Sequence, residues 1–154
     1  MKLSNNFSLK ELTKSQTATR RGINNVPGDL EEANLQQLCE HVLQRVRDHF
    51  GKPVTVTSGY RSPELNEAIG GSITSDHCQG MAADIEIAGV SNYEVAEWIK
   101  ENCMFKQLIL EFYTPGIPDS GWVHVSYDYE ENERKVMTAM KENGRTVYKV
   151  GLIA

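Results

Sequence analysis

A chain of 154 residues has room for one hydrophobic core of ordinary size and not for two, so residues 1–154 are read as a single domain. Hydrophobic residues make up 40% and charged residues 24%, a mixture too apolar for a disordered polypeptide. Lys plus Arg number 16 against 21 Asp plus Glu, a formal charge of −5, which argues against the basic face that nucleic acid requires and gives no attraction to an anionic membrane.

The opening Met1-Lys2-Leu3-Ser4-Asn5-Asn6 lacks the apolar core of a signal peptide, and no run approaches the roughly 20 apolar residues of a bilayer span. Synthesis in the cytoplasm without membrane insertion is the expectation. Cys39, Cys78 and Cys103 are odd in number and widely spaced, so they form neither a disulfide framework nor a paired-cysteine zinc site, which fits a reducing compartment.

Three helix starts are clear. At Phe7-Ser8-Leu9-Lys10-Glu11-Leu12, Ser8 and Glu11 suit a capping box and Phe7 a staple onto Leu12. Asp29 and Glu32 make an acidic start to a helix whose apolar positions Leu35, Leu38, Val42 and Val46 run until Gly51-Lys52-Pro53. Ser91 and Glu94 repeat the capping pattern. Strands are predicted at 54–58, 83–87, 108–112 and 122–126, and a final hairpin at 136–140 and 145–150 around Lys141-Glu142-Asn143-Gly144. Helices early and strands mostly later suggest an α+β fold, an antiparallel β-sheet backed by helices.

His77, Asp84 and His124 have the chemistry of a metal site. Asp84 alternates with Ala83 and Ile85, and His124 with Val123 and Val125, so each leaves its strand on the face opposite those apolar neighbours. Two imidazoles and one carboxylate suit a divalent transition ion, zinc above all, with a fourth position for water. By spacing alone each also suits a surface or hydrogen-bonded core position.

Three ordered blocks carry a resemblance: Ser58-Gly59-Tyr60-Arg61-Ser62, then Ser75-Asp76-His77 through Ala83-Asp84, then Gly121-Trp122-Val123-His124-Val125-Ser126. Together they resemble the M15 peptidases, the zinc D-Ala-D-Ala carboxypeptidases and related phage endolysins, which share the Hedgehog/DD-peptidase fold. The resemblance extends from about Phe7 to Tyr127 and implies that His77, Asp84 and His124 ligate one zinc ion. Peptidoglycan stem peptides are the implied substrate, cut by a carboxypeptidase or an endopeptidase. A phage lysis protein released from the cytoplasm to the cell wall is the implied context. The oligomeric state is left open, with a monomer favoured.

Arg61 corresponds to the family's arginine, suited to a developing oxyanion or a substrate carboxylate; a salt bridge to Glu64 is the alternative. Ser58, Ser75 and Trp122 are candidate substrate contacts, the serines equally suited to capping. Many members carry an acid three residues before the last zinc histidine, and here that position is Gly121. Glu111, the acid within the apolar run 108–112, is therefore the candidate general base, with Asp119 and Asp76 as substitutes. The same departure keeps a second reading open, a zinc-containing binding or structural module of this fold without turnover.

Overall fold

The computed structural model describes residues 1–153. The chain opens with a short hairpin, β1 (Lys2–Ser4) and β2 (Phe7–Ser8), followed by helices α1 (Leu9–Thr13) and α2 (Gln16–Arg21). The predicted capping box is present: Ser8 Oγ accepts from the Glu11 amide at 3.2 Å, and Glu11 returns a carboxylate oxygen to the Ser8 amide at 3.2 Å. Phe7 and Leu12 are both buried.

The long predicted helix runs as α3 (Asp29–Leu38), a π-turn over Cys39–Leu43, and α4 (Gln44–Phe50). Its start differs from expectation by one residue, because Glu31 rather than Glu32 reaches back, accepting from the Gly28 amide at 3.1 Å. Gly51 ends it in the left-handed conformation. Then come β3 (Thr55–Ser58), α5 (Pro63–Ala68), a 3-10 turn (Asp76–Gln79), β4 (Ala82–Glu86) and α6 (Asn92–Asn102). Four strands close the chain: β5 (Gln107–Glu111), β6 (Trp122–Ser126), β7 (Lys135–Glu142) and β8 (Arg145–Val150).

Six strands form one sheet in the order β3-β4-β6-β5-β7-β8. Leu35, Leu38, Val42 and Val46 of the long helix, with Val95 and Ile99 of α6, belong to one core with Ala83, Ile85, Leu108, Leu110, Val123 and Val125. Strand alternation then sends Asp84, Ile109, Glu111, Trp122 and His124 to the other face. The architecture is α+β, as predicted. The sheet is not wholly antiparallel, because β7 lies parallel to β5. The segment after β6 passes the C-terminal end of α6, where Arg134 donates to the Cys103 and Lys100 carbonyls and lies over the Phe105 ring. Both edges of β6 are taken by β4 and β5, so β7 joins the free edge of β5. Among the described residues, no helix is long and apolar enough to cross a membrane.

Candidate metal centre

Strand register brings the three predicted donors together. Asp84 on β4 pairs directly with His124 on β6, and His77 arrives from the 3-10 turn that precedes β4. Asp84 Oδ1 lies 3.0 Å from His124 Nδ1 and 3.4 Å from His77 Nε2. One donor atom from each residue falls within 4.8 Å of the others. Donors on a tetrahedral zinc ion at 2.0–2.1 Å stand roughly 3.3 Å apart, which the two separations from Asp84 match. No cysteine belongs to the cluster: Cys78, next in sequence to His77, lies outside it.

The His77 tautomer is fixed by backbone. Its Nδ1 lies 2.7 Å from the Gly59 carbonyl oxygen, which can only accept, so Nδ1 carries the proton and Nε2 keeps its lone pair for the cluster. Gly59 is held in turn by α1: the Tyr60 amide donates to the Leu12 carbonyl at 2.7 Å, and a Cβ on Gly59 would overlap that same carbonyl. Ser75 caps the turn, its Oγ accepting from the His77 amide at 3.2 Å.

Asp84 is the hub. Burial alone would raise its pKa, but the doubly protonated, charged forms of His124 and His77, each hydrogen-bonded to it, hold it well below the usual carboxylate range. With Nε2 of His77 deprotonated, as metal binding requires, that hydrogen bond gives way to a shared ion. Its second oxygen, Oδ2, faces Arg61 Nη2 at 3.5 Å. Arg61 is turned to this hub and not to Glu64; its Nε donates to Ser58 Oγ at 3.0 Å and its Nη1 to Asn66 Oδ1 at 3.4 Å. Ser58 and Ser75 thus both accept hydrogen bonds, and each hydroxyl keeps its own proton to donate.

Glu111 shares this face. Together with the three donors it lines a cleft of about 420 Å³. Trp122, directly opposite on β6, donates from Nε1 to Glu111 Oε2 at 2.7 Å. Burial raises the Glu111 pKa and the nearby Asp84 charge adds to this, against the lowering effects of His124, the Trp122 N–H and Arg61. The two substitutes fare worse. Asp119 lines a different cleft with Thr55 and Glu86, and Asp76 accepts from Lys106 Nζ at 2.8 Å.

Gly121 cannot carry the acid found at this position in many M15 peptidases. Its φ is +65°, a left-handed conformation, and a Cβ there would overlap the Glu111 carbonyl oxygen and crowd the Phe112 carbonyl. Gly121→Ala is expected to destabilise the fold by about 2–4 kcal/mol in denaturant unfolding. A change below about 0.5 kcal/mol would show that the β5–β6 connection yields easily.

Tyr60 is buried, Cys39 lies in the core, and His41 and His49 stack on Tyr127 and Trp98. Sequence reasoning missed the Gly59 carbonyl, because a backbone acceptor has no residue signature. It also missed Asn66, which no motif marks.

Two imidazoles and a carboxylate that could hold a metal ion thus share one cleft with a half-buried glutamate. The family model described as Peptidase M15 matches residues 5–126, which contain every one of those side chains. The chain belongs to the Peptidase M15 family. A search of curated proteins finds no match.

Proposed function

We propose that this chain is a zinc-dependent peptidase that hydrolyses amide bonds in peptidoglycan stem peptides. The observation that carries the reading is Glu111 and the His77–Asp84–His124 cluster on one sheet face in one cleft.

His77, Asp84 and His124 would hold the ion. Held by one carboxylate and two neutral imidazoles, a zinc ion would retain a net positive charge and would supply the acidification of a water, toward pKa ~7, and the polarisation of a scissile carbonyl. Glu111 takes the proton of the attacking water and passes it to the leaving amine. Trp122 holds that carboxylate through one oxygen and leaves the other for proton transfer. Arg61, steadied by Ser58 and Asn66, faces the negative charge that develops on the carbonyl oxygen. Ser75 and Ser58 offer hydroxyl protons to the substrate backbone.

The pH profile tests the base. Glu111 must be ionised to act, so kcat/KM falls as pH drops through its pKa. The Trp122 N–H stabilises the carboxylate, so Trp122→Phe removes a lowering influence and moves the acid limb to higher pH than in the wild type. An unmoved limb would take the proton transfer away from Glu111.

The broader test is incubation of the purified protein with muropeptides, read by mass spectrometry. Cleavage that a chelator abolishes and zinc restores is expected. Zinc-loaded protein that leaves every muropeptide intact would contradict the reading and favour a binding module.

A further inference from the structure

The family match stops at residue 126, yet the cleft does not. Beyond that point the chain adds the β7–β8 hairpin to the edge of β5, and one of its side chains, Tyr148, reaches the wall of the same cleft as the metal-site residues. The register explains how. Glu111 pairs with Ala139, and Ala139 pairs with Tyr148, so the three occupy one row across the sheet and point to one face. Ala139, between the glutamate and the tyrosine, is small and fully buried. Tyr148 itself is 56% exposed. A tyrosine whose ring stands in a cleft offers apolar area and a hydroxyl at little entropic cost.

The order of groups along this face sets the direction of a bound peptide. Arg61 lies on the β3–β4 side of the donor cluster, whereas Glu111, Ala139 and Tyr148 lie on the β5–β7–β8 side. A glutamate that protonates the leaving amine places the leaving half of the substrate on its own side. Two strand spacings separate Glu111 from Tyr148, about 10 Å, and an extended peptide advances roughly 3.3–3.6 Å per residue. The tyrosine therefore stands two to three residues beyond the cut. Among the described residues lining this cleft, Arg61 is the one lysine or arginine, and it stands on the opposite flank; Lys141 of β7 holds its Nζ over the Phe112 ring, outside that lining. A carboxylate one residue beyond the cut would instead meet Glu111, a like charge.

We infer that the enzyme is an endopeptidase whose C-terminal hairpin forms the leaving-side subsite, with Tyr148 as a specificity-determining contact to the second or third residue beyond the scissile bond. The inference rests on the peptidase reading above. The cleft continues past the catalytic glutamate to a half-exposed aromatic wall, and its lining places a carboxylate, not a cation, beside the first residue beyond the cut.

The test compares wild type, Tyr148→Ala and Tyr148→Phe on uncross-linked pentapeptide muropeptides and on cross-linked muropeptide dimers. The wild type is expected to cut internal bonds, with leaving fragments of two or more residues, and to release no free alanine. Tyr148→Ala is expected to raise KM about tenfold with kcat held within about twofold, the signature of lost binding, and Tyr148→Phe to recover most of that loss. Release of single alanine by the wild type would overturn the inference while leaving the peptidase reading intact, and so would an unchanged KM in Tyr148→Ala. Failure of the zinc-loaded wild type to cut any muropeptide would overturn both, before any variant is compared.

Discussion

Glu111→Gln is expected to bind zinc as the wild type does and to hydrolyse muropeptides about a thousandfold more slowly, within the range that a positioned acid–base group supplies. Glutamine is the informative replacement because its amide oxygen can still accept from Trp122 Nε1, preserving the bond seen at 2.7 Å, while it can take no proton from water. The donor cluster does not include Glu111, so the metal content should not change. Steady-state rates with metal analysis on the same sample check both halves. A rate within tenfold of the wild type would mean that some other group accepts the proton. Asp76 would be the next acid to test, since it lines the same cleft, whereas Asp119 belongs to another.

Asp84→Ala is expected to remove metal binding and hydrolysis together. Asp84 Oδ1 stands within 3.4 Å of both imidazoles, and Oδ2 faces Arg61, so its loss leaves two neutral rings and an unpaired guanidinium. The effect should exceed the roughly 10–100-fold that loss of an outer partner costs a metal site. Thermal unfolding gives a direct readout. Zinc at one hundred times its dissociation constant stabilises a folded chain by about 2.7 kcal/mol, or roughly 5–10 °C for a protein of this size. The wild type should show that rise and Asp84→Ala should show none. An equal rise in both would place the ion elsewhere.

Alternation along 83–87 and 122–126 fixes which way Asp84 and His124 point before any partner strand is known, but their grouping with His77 was legible only through the resemblance to the M15 peptidases. Glu111 was legible as an acid inside an apolar run. The reason for Gly121 was not, because its left-handed φ and its approach to the Glu111 carbonyl exist only once β5 and β6 are paired. The parallel placement of β7 also escaped sequence reading, since the free edge of β5 exists only once β6 has inserted between β4 and β5. Tyr148 belongs with these. Its strand was predicted, but its membership of the cleft follows from a register two strands removed from Glu111. Gly121 kept the non-catalytic reading alive at the level of sequence; the conformation at that position accounts for the missing acid, and Glu111 supplies a carboxylate to the same cleft.

The most direct measurement is cobalt(II) titration of the metal-stripped protein, followed by absorption spectroscopy. One equivalent bound, with the d–d bands of a nitrogen- and oxygen-ligated ion and no thiolate charge-transfer absorption, is the predicted result. His124→Ala should lose it. Failure to take up an equivalent, or a thiolate band from Cys78, would contradict the metal centre on which the proposed chemistry depends.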